Sequence, residues 1–297
     1  MNQVTFSCVI PCYNAGTGIV HTLDSLQTQS CPPEEVIVVD DGSRDDSPEL
    51  ATQHPLRPRV IRQPNQGAAR ARFNGAQAAT QDVVVFTDAG DESDENRLEV
   101  FRDLFQRYPD AIAATARVYL PQEERPSKWY GDDGDSSALL QDPLKLMLGQ
   151  SWPMAIAMNI AIRRPQACIA ADVKPEFKAG NDYALQVRCA SLGPIAISQE
   201  TTLAYEMTAG GISQSTGLQR QNAFALLAAA EVVSEAEGVT EEHRQIFSQR
   251  FQSELGELLV NAIRHRDRHL TASLARLGGW RLLHPFTLRR MWWELAR

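Results

Sequence analysis

Acidic residues follow two apolar segments in the first third of the chain. Asp40 and Asp41 come directly after one apolar run, and Asp88 and Asp91 come after another. A carboxylate can accept a hydrogen bond from a ring N–H of a nucleobase such as uracil. Carboxylates can also share Mg²⁺ or Mn²⁺ with a phosphate group, which a purely acidic pocket would repel. The two clusters therefore suit two different binding tasks.

The same clusters have a simpler explanation. Asp and Gly are frequent in turns after strands, where they need no ligand. One cluster alone would leave the two explanations equal, but two clusters after successive apolar runs favour a binding site. The chain contains neither a Gly-x-Gly-x-x-Gly loop nor a Walker-type Gly-Lys-Ser/Thr, which argues against dinucleotide and P-loop binding.

Short apolar runs alternate with amphipathic or Ala-rich segments around these acids. Each run predicts a buried strand and each amphipathic segment a helix. Such alternation predicts an α/β fold whose parallel strands are covered by helices, with ligands beyond the carboxyl ends of the strands. The predicted strands are Phe6–Ile10, Val36–Val39, Val60–Ile61 and Val83–Phe86, and the helices are Thr17–Gln29, one opening at Asp46 or Ser47, and Gly67–Ala79.

Beyond Ser93 the sequence predicts a helix, then further strands, and finally helices alone. Its polar segment Pro121–Ser137 has a length that, inside a compact domain, usually indicates a functional or disordered loop. From Leu218 onward the pattern is helical almost to the end. The other predicted elements are a helix ending at Arg107, strands at Ala111–Leu120, Ala155–Ile162, Pro194–Ile197 and Thr202–Tyr205, and a helix at Gly180–Leu192.

Composition excludes several classes of protein. The 297 residues, 43% hydrophobic and 22% charged, contain no apolar run of about 18 residues that would predict a membrane span. The N-terminus lacks signal-peptide features, and five cysteines without a Cys-x-x-Cys pair predict neither disulfides nor a zinc site, so we expect a cytoplasmic protein. Residues 261–297 carry a net charge of +6 and the rest −14, so the main body should repel nucleic acid.

Four ordered motifs over residues 6–91 resemble the signature of family 2 glycosyltransferases with the GT-A fold. They are Cys8–Asn14 (CVIPCYN), Val36–Ser43 (VIVVDDGS), the segment from Asn65 through Arg72 to Gly75, and Phe86–Asp91 (FTDAGD). The similarity continues through Asn181–Tyr183 and Leu203–Glu206 to about Ser215. The resemblance implies a catalytic domain at 1–215, with a nucleotide-binding half (1–118) and an acceptor half (119–215), followed by a helical extension at 216–297.

The resemblance also implies a reaction and roles for individual residues. Such enzymes transfer a sugar from a nucleotide diphosphate donor to a hydroxyl, with inversion at the anomeric carbon, and a UDP-sugar is the favoured donor. By position, Asp40 would contact the base, Tyr13 would stack near it, and Arg72 would lie near the donor. The implied donor-binding residues are Pro11, Tyr13, Asn14, Asp40, Asp41, Arg72, Asp88 and Ala89, and the implied ligands of Mn²⁺ or Mg²⁺ are Asp88 and Asp91.

Three residues depart from the family pattern. Gly90 stands where the family usually has Asp, Phe73 where Asn commonly follows the arginine, and Asn181 where Glu usually precedes the catalytic Asp. Gly90 removes a carboxylate from the expected metal site. Either Asp91 or a water molecule supplies the missing oxygen, or the metal binds weakly.

Asp182 is the candidate catalytic base, because it matches the family's base position at the start of a predicted helix. One-step inversion needs a base that accepts the proton of the attacking hydroxyl. The alternative is that Asp182 caps the helix, a common role of Asp. With Asn181 as its neighbour, Asp182 has one like charge fewer beside it, so we expect a more acidic carboxyl.

Two further segments suggest acceptor or partner contacts. Trp129, Tyr130 and Trp152 would form a platform for a sugar face, or else belong to the core. The basic segment from Arg264 onward, which carries Trp280, Trp292 and Trp293, either lies on the inner face of an anionic membrane or packs on the catalytic domain. A membrane-surface position would suit a glycolipid, polysaccharide or other cell-surface glycan acceptor.

Three functions remain open on these residues. The first is an inverting glycosyltransferase. The second is a non-catalytic protein that binds a nucleotide-sugar or glycan, which Gly90 and Asn181 would permit. The third is a sugar nucleotidyltransferase, which ranks lowest because such enzymes usually have a Gly-rich basic N-terminal loop, where this chain has Pro11–Asn14.

Overall fold

The computed structural model describes residues 3–120, 125–126, 137–149, 158–174, 180–204 and 218–278. The predicted acceptor platform of Trp129, Tyr130 and Trp152 lies outside these residues, as do the segment 205–217 and the tail 279–297.

The segment from Phe6 to Phe86 forms the unit of alternating strands and helices that the sequence predicts. Its four strands are all parallel and lie in the order β3-β2-β1-β4. The carboxyl ends of all four therefore meet at one edge of the sheet. The elements are β1 (Phe6–Cys12), α1 (Gly18–Gln27), β2 (Glu35–Asp40), α2 (Ser47–Gln53), β3 (Arg59–Arg62), α3 (Ala68–Ala78) and β4 (Val83–Phe86).

The central strand β1 is buried along its whole length because helices cover both faces of the sheet. Helix α3 approaches it so closely that a Cβ atom at Gly75 would lie 2.3 Å from a methyl group of Val9. Strand β1 extends two residues beyond its predicted end, to Cys12, whose carbonyl oxygen accepts a hydrogen bond from the N–H of Asp41 (2.8 Å). The first acidic cluster is thereby fixed against the neighbouring strand.

The chain beyond Phe86 extends the same sheet with strands of both directions. Strand β9 is antiparallel to both β4 and β6, whereas β6 and β10 are parallel. The sheet is thus parallel in its first half and mixed in its second. The elements are β5 (Glu92–Ser93), α4 (Arg97–Arg107), β6 (Ala113–Leu120), β7 (Arg125–Pro126), β8 (Ser137–Leu140), α5 (Pro143–Gly149), β9 (Ile160–Arg163), α6 (Arg164–Ala170), α7 (Asn181–Ala190) and β10 (Ile195–Ala204).

Two details here differ from the sequence prediction. The two strands predicted at 194–197 and 202–205 form a single strand, β10, whose pairing with β6 shifts register between Ser198 and Leu203. The short elements β5, β8, α5 and α6 were not predicted at all. Seven residues or fewer are too short to display a clear periodicity.

The C-terminal helices pack on the catalytic domain. They are α8 (Leu218–Glu235), α9 (Glu241–Arg264) and α10 (Arg268–Gly278). One hydrophobic core runs without interruption from Val9 on β1 to Leu274 on α10. The described part of the predicted extension therefore packs on the rest of the fold through its apolar residues, and this packing leaves the basic turn at residues 264–269 largely exposed. None of the described helices is long and apolar enough to cross a lipid bilayer.

A buried hydrogen-bond network also joins α9 to α7. The hydroxyl of Tyr183 donates to the carbonyl oxygen of Met147 (2.8 Å). Arg250 on α9 donates to the same carbonyl (3.0 Å) and to the hydroxyl oxygen of Tyr183 (3.2 Å). Because Tyr183 directly follows Asp182, the C-terminal helices fix the start of the helix that carries the candidate base.

Candidate active site

The residues predicted to act on a ligand converge on the carboxyl edge of the parallel strands. Asp40 ends β2, Tyr13 follows β1 and Asp88 follows β4. Strand β1 lies between β2 and β4, so these three positions belong to neighbouring strands. Tyr13 is 49% exposed and Asp88 has 38% of its side chain exposed, whereas Asp40 is only 3% exposed.

Hydrogen bonds join the loops that follow β1 and β2. The N–H of Asn14 donates to Ser43 Oγ (2.9 Å), and Asn14 Oδ1 accepts from the N–H of Arg44 (2.8 Å). Ser47 Oγ accepts from the N–H groups of Ala15 and Gly16, both at 2.9 Å. The side chain of Asn14 thus holds the two loops together, while the neighbouring Tyr13 ring is presented to solvent.

The two acids of the first cluster have different surroundings. Asp40 Oδ1 accepts a hydrogen bond from the N–H of Ser43 (3.1 Å). Asp41 uses both oxygens to hold the loop before α3, through Gln63 Nε2 (2.7 Å) and the N–H groups of Gln66 (2.8 Å) and Gly67 (2.7 Å). Sequence reasoning missed this supporting role, since the partners lie more than 20 residues away.

A surface cleft of about 400 Å³ opens beside Asp40. It contains two exposed arginines, Arg44 and Arg62, and the latter forms an ion pair with Glu49 (2.5 Å). The cleft therefore offers both charges and a buried carboxylate at its inner wall. It is lined by Asp40, Gly42, Ser43, Arg44, Asp45, Pro48, Glu49, Arg62, Gln63 and Pro64.

Arg72 connects the second acidic cluster to helix α7. It is 4% exposed, and its guanidinium donates to Asp88 Oδ1 (2.6 Å) and to Asn181 Oδ1. Arg72 and Asn181 lie 109 residues apart in the sequence. The structure thus brings together Arg72, Asp88 and the residue adjacent to Asp182, as a single site would require.

The loop Asp88–Asp91 is held by a threonine of α1. The N–H of Gly90 donates to Thr22 Oγ1, and that hydroxyl donates to the carbonyl oxygen of Asp91, both at 2.9 Å. Gly90 has a φ of +108°, a conformation that residues with a side chain rarely adopt, although a Cβ atom would meet nothing within 4 Å. Backbone conformation, rather than crowding, accounts for glycine at this motif position.

The acids of this loop fit a cation brought by a substrate, not one caged by the protein. Among the described residues, no group of three or more His, Cys, Asp or Glu side chains is arranged to hold a metal. One oxygen of Asp88 is bonded to Arg72, and Asp91 is buried. Mg²⁺ is commonly bound through one or two carboxylates together with substrate phosphates, and Asp88 and Asp91 are the two acids that would supply them here.

The cysteines near the first strand end are buried thiols. All five cysteines of the chain are free thiols. Burial raises the pKa of Cys8 and of Cys12 to about 12. Both side chains therefore remain neutral thiols at neutral pH, and a metal prefers the thiolate.

Asp182 lies in the first turn of α7, but it does not cap the helix. The N-cap is Gly180, in a left-handed conformation and without a side-chain cap, while Asp182 Oδ1 accepts from the N–H of Tyr183 (2.8 Å). Burial raises the pKa of Asp182, and nearby Asp88 raises it further, while the Tyr183 hydrogen bond and Arg72 lower it. Desolvation is therefore the largest influence on this carboxyl, whereas the prediction from Asn181 concerns only the smaller difference from a neighbouring Glu and stays a prediction.

The fold is similar to that of Staphylococcus aureus TarS, and it is consistent with the GT-A fold. The solved structure of Staphylococcus aureus TarS residues 1–349 in complex with UDP-GlcNAc superimposes with a TM-score of 0.70 at 16% identity, covering 97% of this chain and 88% of that one. A longer TarS structure gives a TM-score of 0.67 and is covered over 54% of its length.

Sequence comparison identifies the family. Residues 7–167 match the model described as Glycosyl transferase family 2, which is more than half of the chain, and the chain therefore belongs to that family. It is 40% identical over 89 residues to the uncharacterized glycosyltransferase YibD of Escherichia coli, and 36% identical over 113 residues to the amylovoran biosynthesis glycosyltransferase AmsB of Erwinia amylovora. These matches span 29% and 36% of this chain, and 26% and 38% of the respective relatives.

Proposed function

We propose that this protein transfers a sugar, with inversion, from a nucleotide diphosphate sugar to a hydroxyl acceptor, and that the donor is a UDP-sugar. The observation that carries the proposal is the position of Arg72. Its guanidinium joins Asp88, on the donor side, to Asn181, which directly precedes Asp182 on α7. A donor-binding acid and a candidate base thus share one site. The TarS structure with UDP-GlcNAc, which has the same fold, supports the choice of donor.

The donor's nucleoside would bind at the ends of β1 and β2. The buried Asp40 carboxylate lies beside the cleft and accepts one hydrogen bond, so it has further capacity to accept the ring N–H of a uracil. The exposed ring of Tyr13 suits stacking on a base. Asn14 and Asp41 contribute indirectly, by fixing the loops on either side, whereas Pro11 is a buried residue of β1 below them.

The donor's diphosphate would bind at the loop after β4. Arg72 brings positive charge to this loop, and the carboxylates of Asp88 and Asp91 would hold Mn²⁺ or Mg²⁺. Such an ion, when bound, neutralises charge on the leaving diphosphate. The backbone of Gly90 and Asp91 is held by hydrogen bonds to Thr22, so the loop would need little reorganisation when a donor binds.

Asp182 would be the general base. It would accept the proton of the acceptor hydroxyl as that oxygen forms its bond to the anomeric carbon and the bond from that carbon to the diphosphate oxygen breaks. The raised pKa of Asp182 makes its carboxylate a stronger base than an exposed Asp would be. The positive charge of Arg72 acts in the opposite direction to burial and favours the ionised form that a base requires.

Donor hydrolysis separates this function from non-catalytic binding. Gly90 and Asn181 remove two carboxylates from the expected pattern, which motivates the alternative of a binding protein. Without acceptor, a transferase should slowly release free UDP from UDP-GlcNAc. Tight donor binding without any UDP release, and no transfer with any of a set of glycan acceptors, would favour the binding protein.

We further propose that the protein acts in the cytoplasm at an anionic membrane surface and uses a glycolipid or polysaccharide acceptor. The turn between α9 and α10 exposes Arg264, His265, Arg266, Arg268 and His269 beside the half-exposed Ile263. Basic and apolar side chains together favour anionic lipid surfaces. Vesicles containing phosphatidylglycerol should bind the protein, and Arg264→Glu with Arg268→Glu should abolish this binding. Equal binding to neutral vesicles would contradict the proposal.

The donor is best identified by a thermal-shift panel of nucleotide-sugars with and without Mn²⁺. A ligand at 100 times its Kd stabilises a protein by about 2.7 kcal/mol, which is readily measured. We expect a UDP-sugar to give the largest shift and Asp40→Asn to reduce it. A larger shift with a GDP- or dTDP-sugar would overturn the choice of UDP.

A further inference from the structure

One buried cation near the site has no role in the reaction described above. Arg97, the first residue of α4, is 0% exposed. All five of its N–H groups donate hydrogen bonds. The acceptors are Asn159 Oδ1 (2.9 Å) for Nε, Thr87 Oγ1 (2.6 Å) and Ser93 Oγ (2.9 Å) for Nη1, and the carbonyl oxygens of Phe86 (2.9 Å) and Met158 (3.2 Å) for Nη2.

The partners of Arg97 bracket the loop Asp88–Asp91. Phe86 and Thr87 directly precede Asp88, and Ser93 comes two residues after Asp91. The guanidinium therefore spans the base of the loop and fixes both of its ends. Thr22 holds the same loop from the side of α1, so the loop is restrained from two directions.

Asn159 extends this restraint into the second half of the sheet. While its Oδ1 accepts from Arg97, its Nδ2 donates to the carbonyl oxygen of Ala116 (2.9 Å) on β6 and to Thr202 Oγ1 (2.9 Å) on β10. A path of buried hydrogen bonds thus runs from the loop after β4 to strands β6 and β10.

Hydrogen bonding alone does not explain why a charged side chain is buried at this position. None of its five partners is a carboxylate, and a guanidinium buried without a carboxylate partner is costly. Desolvation lowers its pKa to about 10, while Cys8 and the carboxylates of Asp91, Asp88 and Asp94 raise it. Arg97 is therefore charged at neutral pH, and its charge lies close beneath an acidic loop.

We propose that Arg97 is a positioning residue for the donor site: it holds the Asp88–Asp91 loop in its binding conformation from beneath, and its fixed charge offsets the repulsion between the loop's acids and the donor's diphosphate. Arg97 acts through the loop and does not touch the donor. The inference rests on the proposed function only where it names the donor, because the rigidity of the loop can be measured without one.

Hydrogen exchange tests the positioning of the loop. Arg97→Lys keeps the charge but loses the planar fork that reaches five acceptors. The matched control is Arg163→Lys, because Arg163 also binds backbone carbonyls, those of Ala111 and Pro109, both at 2.9 Å, but at the opposite end of β4 and β9. Amide exchange of a peptide covering residues 87–93 should be faster in Arg97→Lys than in wild type and unchanged in Arg163→Lys.

Calorimetric titration with UDP and Mn²⁺ tests the effect on the donor site. Loss of charge-assisted hydrogen bonds should weaken UDP binding by about 10- to 100-fold in Arg97→Lys, and Arg163→Lys should bind as wild type does. If Arg97→Lys does not fold, Thr87→Val removes one acceptor of Arg97 beside Asp88 and should produce both effects in weaker form.

The outcomes are distinguishable. Loop exchange as slow in the variant as in wild type would overturn the inference, and UDP affinity within twofold of wild type would overturn it as well. Wild-type protein that binds no UDP in the presence of Mn²⁺ would contradict the proposed donor instead, and the exchange measurement would then decide by itself whether Arg97 positions the loop.

Discussion

The guanidinium of Arg72 lies 2.6 Å from the carboxylate of Asp88 and reaches across the strand ends to Asn181 on α7. The loop after β4 supplies one partner of this arginine and the helix of the candidate base supplies the other. In the proposed mechanism, donor binding and base position would therefore be coupled through a single buried side chain, and substitutions at these positions should have separable effects.

Removal of the candidate base should abolish turnover while leaving donor binding intact. We expect Asp182→Asn to lower kcat by about 10²- to 10⁴-fold, the usual contribution of general-base catalysis. The measurements are transfer rate and UDP-sugar affinity. Asp172→Asn, an exposed acid before α7, is the matched control and should be unaffected. A near-normal transfer rate in Asp182→Asn would remove this residue from the mechanism.

The pH dependence of stability should report the raised pKa of Asp182. In the folded state, burial raises this pKa above its ordinary value of 3.8. The folded protein therefore binds the proton more tightly than the unfolded chain does. The resulting stability is present below the unfolded pKa and is lost as pH rises through the folded pKa. Asp182→Asn cannot ionise, so its urea midpoint should increase relative to wild type between pH 3.5 and pH 7, values chosen on either side of the ordinary Asp pKa of about 3.9. A difference that is constant with pH would contradict the raised pKa.

Replacement of Arg72 should weaken donor binding. Lys cannot reach both Asp88 and Asn181 in the planar geometry of a guanidinium, so Arg72→Lys should raise the Kd for the donor about tenfold or more, as expected for lost hydrogen bonds between charged groups. Arg70→Lys is the control, because Arg70 lies on the exposed face of the same helix. Its guanidinium stacks on the ring of Phe73. Equal donor affinity in both variants would separate Arg72 from the donor site.

Restoring an acid at Gly90 should not strengthen metal binding. The φ of +108° strains any side-chain-bearing residue, so Gly90→Asp and Gly90→Ala should both lower the free energy of unfolding, by about 1–3 kcal/mol. Denaturant titrations and Mn²⁺ binding measured with UDP would check this. If Gly90→Asp were as stable as wild type and bound Mn²⁺ more tightly, the loop would accept the missing ligand without strain, contrary to this prediction.

The sequence predicted the positions of residues that are set by their own strand or helix. Runs of valine predict the buried strands β2 and β4, and the structure has Asp40 and Asp88 at the ends of these strands, as expected. Asp182 lies at the start of a helix, also as expected. The role of Asp41 could not be predicted, since its partners Gln66 and Gly67 are distant in sequence. The raised pKa of Asp182 could not be predicted for a related reason: the burial that raises it is created by the whole fold, whereas the sequence shows only the neighbouring Asn181.

The network of Tyr183, Met147 and Arg250 links the C-terminal helices to the position of the candidate base. The family match ends at residue 167, before the candidate base and before the helix that anchors it. A change in the C-terminal helices that shifted Arg250 would therefore be transmitted through Tyr183 to the start of α7, and so to Asp182, from a part of the chain outside the matched family segment.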